Sequence, residues 1–158
     1  MDRFERLASA LRRIPGLEVR ENEPMKRHTT FRIGGPTRLM ALPRSRKEAA
    51  AAVRAATEAG IAPFFLGNGS NLLVADHGYE GFVLKACGLD QVREVNRRLR
   101  AESGITLARL ANAALGRGLT GLEFAHGIPG TLGGAVVMNA GAYGGEMVQV
   151  LTAVTYLD

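Results

Sequence analysis

The sequence predicts an α+β protein of two small lobes, and three observations lead to this fold class. Stretches with helical periodicity alternate with short runs of β-branched and aromatic residues. A strand–helix–strand unit of about 30 residues predicts two parallel strands. The composition changes at Cys87-Gly88, and each side carries one glycine-rich segment. We therefore expect an N-terminal helix and linker at residues 1–25, a first subdomain at 26–87 and a second at 88–158.

The first lobe is expected to combine two helices with several strands. Apolar residues recur at helical spacing from Phe4 until Pro15-Gly16 stops the pattern. Ser45 and Glu48 form a capping box that starts the second helix, and Gly60 ends it. The predicted order is a helix at 4–14, a linker at 17–25, strands at 28–33 and 38–42, the capped helix, and strands at 61–66, 72–75 and 79–86.

The second lobe is expected to hold a helix between short strands. Thr106 is predicted to cap a helix whose leucines and alanines keep helical spacing until Gly118. Thr131 is predicted to cap a shorter helix that runs to Val137 or Met138. The other predicted elements are one or two strands at 92–103, a short helix or turn at 121–125 and a strand at 148–156.

The composition of the 158 residues excludes several classes of protein. A hydrophobic content of 46% with 22% charged residues is typical of a soluble globular protein, and no apolar run is long enough to span a membrane. The single Cys87 favours a reducing cytoplasm. The net charge of +5 suits phosphate-bearing small molecules, but the basic runs lack stacking aromatics, which argues against nucleic acid. The spacing of His28, His77 and His126 predicts no metal site.

Residues 127–145 are the main candidate site, because seven of the chain's twenty glycines lie there among small apolar residues. Glycine lets a backbone approach a flat partner closely. The start of the predicted helix after Thr131 would point free N–H groups at an anionic or electron-rich ligand. The alternative is a glycine-rich turn that only packs one element on another.

A second candidate lies at residues 67–71, Gly-Asn-Gly-Ser-Asn. Successive N–H groups in a glycine turn form a concave nest for phosphate oxygens, and Ser70 and Asn71 add side-chain donors. The segment is neither a dinucleotide-binding fingerprint, since Leu72 stands where that motif needs glycine, nor a P-loop. The alternative is a simple hairpin turn. If the two glycine segments lie on two lobes, a cleft between the lobes would suit an extended cofactor.

Several long motifs in this chain closely resemble the UDP-N-acetylenolpyruvoylglucosamine reductase family. They occur in the family's order and extend over residues 26–158. The matching segments are residues 28–36, 66–74, 118–125, 127–135 and 138–144. The resemblance implies the two-lobed FAD-binding fold of the vanillyl-alcohol oxidase (PCMH) type, with the second lobe incomplete.

The resemblance also implies which residues bind FAD. The first glycine segment would hold the pyrophosphate, and the second would lie beside the flavin. The cofactor-binding residues expected on this basis are Gly67, Asn68, Gly69, Ser70, Asn71, Leu72, Gly127, Ile128, Pro129, Gly130, Thr131, Gly133, Gly134, Ala135, Asn139, Gly141, Ala142 and Tyr143.

The family reaction is likewise implied by resemblance alone. NADPH reduces FAD, and FAD then reduces the enolpyruvyl group of a UDP-sugar to give UDP-N-acetylmuramate for peptidoglycan. The family's Tyr-Arg-x-Ser-x-Phe motif, its proton-donating Ser and its C-terminal Glu would lie beyond Asp158, so no catalytic residue is expected in this chain. We expect the FAD-binding half of such an enzyme, whether truncated, cut or split, and a complementary C-terminal half is one candidate partner. A non-catalytic flavin-binding module and a basic nucleic-acid-binding domain are the alternatives.

Overall fold

The computed structural model describes residues 2–157, which divide into two compact units between Leu89 and Asp90. Met1 and Asp158, the outer limits of the predicted domains, lie outside the described residues. Helices and strands are mixed in the chain, as the α+β class predicts. Among residues 2–157, no helix has the length and hydropathy that crossing a bilayer requires.

The first unit is a four-stranded sheet with two helices packed on one face. Its strands are β1 (Glu18–Pro24), β2 (Pro36–Leu42), β3 (Pro63–Leu66) and β4 (Tyr79–Lys85). They lie in the order β1-β2-β4-β3, with β1 antiparallel to β2 and the other neighbours parallel. The predicted strand–helix–strand unit is confirmed, with β4 inserted between its two strands. The two helices are α1 (Arg3–Arg12) and α2 (Arg46–Glu58).

Alternation along β4 divides the core of this unit between the two faces of the sheet. Phe82 and Leu84 are buried against α1 and α2, whereas Val83 points to the other face and contacts a cluster around Met25. The predicted cap of α2 is confirmed, since the Glu48 N–H donates to Ser45 Oγ at 3.2 Å. The helices therefore cover one face, and the segments that connect the strands cover the other.

The second unit surrounds a small apolar cluster of Leu107, Ala125, Ala135 and Met147. The predicted Thr106 cap is confirmed by the hydrogen bond from the Arg109 N–H to Thr106 Oγ1 at 3.3 Å. The elements are β5 (Val92–Val95), β6 (Arg98–Ala101), α3 (Leu107–Leu115), α4 (Leu132–Val137), β7 (Gly141–Ala142), β8 (Gly145–Glu146) and α5 (Met147–Val150). The pairs β5–β6 and β7–β8 are antiparallel ribbons.

Two predictions about the ends of the chain are wrong. The supposed linker at 17–25 contains β1, which pairs with β2 at the edge of the sheet. Its charged residues hid the strand signal, although edge strands commonly carry charge. The supposed strand at 148–156 begins instead as α5, because Glu146 and Gln149 form a capping box, and it continues without regular structure.

Two predicted strands near the candidate loop at residues 67–71 are also wrong. Residues 28–33 form a turn in which Thr29 Oγ1 donates to the Ile33 carbonyl, and Arg32 adopts a positive φ of 56°. Residues 72–75 are irregular, and Leu72 and Val74 pack against the Met25 cluster. Their alternation of apolar residues therefore reflects packing of a loop on the sheet.

Candidate functional site

The loop at residues 67–71 begins where β3 ends, at the carboxyl end of the parallel strands. Leu66, the last residue of β3, pairs with Lys85 at the end of β4. In open α/β sheets, ligands bind at this end of the strands. Among the described residues, the amides of 68–71 donate to no backbone carbonyl, and the side chains of Asn68, Ser70 and Asn71 form no hydrogen bond. The loop therefore presents several hydrogen-bond donors that are free to donate to the oxygens of a phosphate.

Gly69 is held by the turn at residues 28–30. The Thr30 N–H donates to the Gly69 carbonyl at 3.1 Å. Gly69 has a φ of +67°, and a β-carbon added there would lie 2.1 Å from the His28 carbonyl oxygen. A side chain cannot occupy that space, so glycine is required at this position by packing within the chain itself.

The turn is fixed by a row of charged and polar side chains, of which His28 and Glu23 are buried and Arg20 and Lys85 are half-buried. His28 Nε2 lies 2.8 Å from Glu23 Oε1, and His28 Nδ1 lies 2.9 Å from Lys85 Nζ. Glu23 also accepts a hydrogen bond from Arg20 at 2.9 Å. Because the Lys85 ammonium can only donate, Nδ1 is the acceptor and Nε2 carries the proton that Glu23 accepts.

Burial and neighbouring charge set the protonation of this row. Burial lowers the pKa of His28, and the charge of Lys85 adds to the lowering, while the hydrogen bond to Glu23 opposes it. For Glu23, burial raises the pKa, but the hydrogen bonds from His28 and Arg20 outweigh it and hold the pKa below its usual value. At neutral pH the row is therefore a neutral imidazole between a carboxylate and an ammonium.

The glycine stretch of the second unit begins with a turn that leads into α4. Thr131 occupies the N-cap position as predicted, but its side chain makes no capping hydrogen bond. The prediction of free N–H groups at this helix start is wrong for two amides, since those of Leu132 and Gly133 donate to the Ile105 and Ser103 carbonyls at 2.9 and 2.7 Å, whereas the Gly134 amide donates to no carbonyl among the described residues. The start of α4 thus packs on the segment before α3 and leaves only the Gly134 amide unpaired among the amides of its first turn.

Three glycines of this stretch face open space, and two of them, Gly127 and Gly134, also lack the positive φ that makes glycine necessary at Gly144. A β-carbon on Gly127 would meet nothing within 4 Å, and one on Gly134 would meet only Thr131 Oγ1 at 3.9 Å. Gly133 differs, since its added β-carbon would lie 2.9 Å from Ser103 Cβ. Among the described residues, then, packing gives no reason for glycine at 127 or 134. Bare backbone at these two positions is what a flat ring needs for close approach.

The rest of the stretch contains both buried and exposed residues. Thr131 and Ala135 are buried, Ile128 is half-buried in the core cluster, and Pro129 is exposed. Tyr143 is 97% exposed, and it adjoins a shallow groove of about 520 Å³ lined by Gly121, Glu123, Phe124, Gly144, Gly145 and Gln149.

Asn139 is occupied by structural contacts. Its Nδ2 donates to Glu146 at 2.9 Å, and its Oδ1 accepts from the Val148 N–H at 3.0 Å. Gly141 is required by the β7–β8 ribbon, where an added β-carbon would lie 2.8 Å from the Gly145 carbonyl, and Ala142 beside it is half-buried. Asn139 and Gly141 were expected to bind the cofactor, but their contacts stabilise the β7–β8 ribbon and α5.

The two segments offer different groups to a ligand. The loop at 67–71 supplies unpaired backbone and side-chain donors, and its own five residues carry no acidic side chain. Gly127 and Gly134 supply bare backbone. Sequence reasoning missed the row from Arg20 to Lys85, because His28 was examined only as a metal ligand. In the described part of the chain no cluster of His, Cys, Asp and Glu could hold a metal ion.

Comparison with known proteins identifies the class of protein. The FAD binding domain family matches residues 37–158, so the chain belongs to that family. FAD is accordingly the cofactor of this class, as the sequence predicts.

Comparison with individual proteins identifies a narrower group than the FAD binding domain family. The chain is 52% identical over 137 residues to UDP-N-acetylenolpyruvoylglucosamine reductase of Caldanaerobacter subterraneus subsp. tengcongensis, an alignment that covers 87% of this chain and 45% of the relative. It is 42% identical to the reductase of Alkaliphilus oremlandii, with 100% of this chain and 52% of the relative covered. The chain thus spans about half the length of the curated relatives it matches.

Solved structures agree. The Thermus caldophilus UDP-N-acetylenolpyruvylglucosamine reductase has a TM-score of 0.66 and 36% identity, over 83% of this chain and 45% of that chain. An aclacinomycin oxidoreductase shares the fold alone, with a TM-score of 0.59 and 20% identity over 80% of this chain and 27% of its own. The resemblance to the reductases and the FAD-binding fold of the vanillyl-alcohol oxidase type are confirmed.

Proposed function

We propose that this chain is the FAD-binding part of a cytoplasmic UDP-N-acetylenolpyruvoylglucosamine reductase of peptidoglycan synthesis. The complete enzyme would oxidise NADPH and reduce the enolpyruvyl group of a UDP-sugar. The observation that carries the proposal is the pair of glycine segments. One retains unpaired backbone donors and the other has glycines without a packing role, in a chain 52% identical to a named reductase over 137 residues.

Each segment has its own task in this proposal. The amides of 68–71, with Ser70 and Asn71, would hold the FAD pyrophosphate through hydrogen bonds to its charged oxygens. Gly127 and Gly134 would let the flavin ring lie against backbone. When bound, FAD supplies the hydride chemistry, and the protein positions it and keeps competing reactions out.

The groups that complete the reaction would come from outside this chain. Reduction of the enolpyruvyl group builds negative charge that requires a proton donor and a stabilising donor within about 3 Å. The two acids nearest the glycine stretch are committed elsewhere: Glu123 accepts from the Gly121 N–H, and Glu146 accepts from Asn139. A complementary C-terminal half would therefore carry the catalytic residues. The alternative is a flavin-binding module without turnover.

The test is a complementation assay. The purified chain is loaded with FAD, given NADPH and the enolpyruvyl substrate, and followed for NADPH oxidation coupled to UDP-N-acetylmuramate. We expect a perturbed flavin spectrum without turnover, and turnover once the C-terminal half of the Caldanaerobacter reductase is added. Turnover by the chain alone at the rate of a full-length enzyme would show that the catalytic groups lie within it. Failure of the added half to restore any turnover would favour the module, and absence of flavin binding would refute both.

A further inference from the structure

His28 joins three elements of the first unit through three different groups. Its Nε2 bonds Glu23 on β1, and its Nδ1 accepts from Lys85 at the end of β4. In the sheet order, β2 lies between those two strands, so the imidazole reaches across it. Its main-chain carbonyl lies against the α-carbon of Gly69, where an added β-carbon would be only 2.1 Å away.

The loop at 67–71 has few other restraints. The Thr30 N–H bond to the Gly69 carbonyl, at 3.1 Å, ties the loop to the residue two places after His28. Asn68 and Asn71 are exposed, and among the described residues their side chains form no hydrogen bond. Displacement of the His28 ring would therefore move the carbonyl and the amide that together support Gly69.

We propose that His28, held between Glu23 and Lys85, is the positioning residue for the glycine loop at 67–71. This inference rests on the proposed role of that loop in binding the FAD pyrophosphate. His28 itself does not touch the cofactor in this account. It sets the path of the loop so that the amides of 68–71 converge on one anion, because pre-organised donors bind more tightly than donors that must be ordered on binding.

The protonation state of His28 decides whether this restraint is intact. The charged groups that face it are Glu23 and, behind it, Arg20 from β1, and Lys85 from β4; Cys87 lies near Lys85, and burial raises the pKa of its thiol. A proton on Nδ1 would place two cationic donors against each other, and the bond to Lys85 would be lost. Since the pKa of His28 is lowered, the restraint is complete above about pH 6.5 and is lost as the pH falls through that lowered value.

The experiment compares Lys85→Met with Lys47→Met, which removes the same charge from an exposed position on α2. Two quantities are measured at about pH 8: hydrogen exchange of the Thr30 amide in the chain without FAD, and the dissociation constant for FAD by flavin fluorescence. We expect Lys85→Met to speed Thr30 exchange at least about tenfold and to weaken FAD about fivefold. Lys47→Met should change neither.

A pH series adds a readout that a purely structural role would not move. In the unsubstituted chain, FAD affinity should be level at neutral pH and above, and should decline only as the pH falls through the lowered pKa of His28. His28→Gln keeps an N–H donor for Glu23 but cannot titrate, so it should show fast Thr30 exchange and no such decline. If Lys85→Met does not fold, His28→Gln carries the same test.

The outcomes separate the two proposals. Unchanged Thr30 exchange in Lys85→Met and His28→Gln would overturn the positioning role, and so would weaker FAD binding with unchanged Thr30 exchange, since Lys85 would then act on the ligand directly. If no form of the chain binds FAD, the proposed function fails, and Thr30 exchange still decides whether His28 positions the loop.

Discussion

The two glycine segments differ in whether the packing of the chain itself requires glycine. Gly69 lies in the left-handed region with the His28 carbonyl against it, so the chain's own packing excludes any side chain there. Gly134 does not lie in the left-handed region, and a β-carbon added there would meet only Thr131 Oγ1, at 3.9 Å. The amides show the reverse pattern, because those of 68–71 are unpaired among the described residues whereas Leu132 and Gly133 donate within the second unit.

This contrast separates two reasons for glycine that a sequence cannot tell apart. In the first unit, glycine shapes a turn whose free amides are the groups proposed to bind the pyrophosphate. In the second unit, the Leu132 and Gly133 amides at the helix start are already paired, and the missing side chain is itself the feature proposed to accommodate the ring. Substitution of Gly69 should therefore damage folding, whereas substitution of Gly127 or Gly134 should damage ligand binding.

The largest expected effect is on stability, from Gly69→Ala. The left-handed φ and the contact with the His28 carbonyl should together lower the free energy of unfolding by about 3 kcal/mol. Gly60→Ala is the matched control, since Gly60 has a φ of +65° with nothing within 4 Å of its added β-carbon. That variant should lose only about 1 kcal/mol. Urea unfolding measures both, and equal losses would mean that the His28 contact is unimportant.

The next effect is on affinity, from Gly134→Leu. Leucine favours a helix over glycine, so α4 should be as stable as before or up to about 1 kcal/mol more stable. FAD affinity should nevertheless fall at least about tenfold, because the side chain occupies the surface proposed for the ring. Gly133→Leu is the contrast, since it meets Ser103 and should lower stability itself. If Gly134→Leu leaves FAD affinity unchanged, the flavin ring does not bind at this surface.

The smallest expected effect comes from Ser70→Ala. Ser70 forms no side-chain hydrogen bond among the described residues, so its loss should leave the unfolding midpoint unchanged. FAD should bind about fivefold more weakly, which is about 1 kcal/mol for one lost donor to an anion. Ser9→Ala in α1 serves as the control, and an affinity equal to that of this control would exclude the hydroxyl from the site.

Local signals made much of the fold predictable. The Ser45 and Thr106 caps, the periodicity of α1 and the alternation in β4 are encoded within a few residues, and the structure confirms them. The charged strand β1 was missed because its identity depends on pairing with β2, a contact that no local pattern reveals. The segment at 72–75 was mistaken for a strand because its apolar residues face a core from within a loop.

The candidate site likewise has features that the sequence could predict and features that it could not. Its glycine segments could be found from composition and from family resemblance. The neighbours of each glycine could not, because the His28 carbonyl beside Gly69 and the Ser103 carbonyl that accepts from Gly133 are distant in sequence. These neighbours decide which of the residues expected to bind FAD are available for it and which are committed to the fold.

Hydrogen exchange of the whole chain with and without FAD tests the central claim most directly. FAD is added until the flavin spectrum no longer changes, and amide exchange is compared residue by residue. The account predicts slower exchange at 68–71, where the unpaired amides gain phosphate acceptors, together with slower exchange at 127–135, where the ring covers the backbone. A saturated flavin spectrum with protection in only one segment, or in neither, would contradict the proposal that each glycine segment contacts FAD.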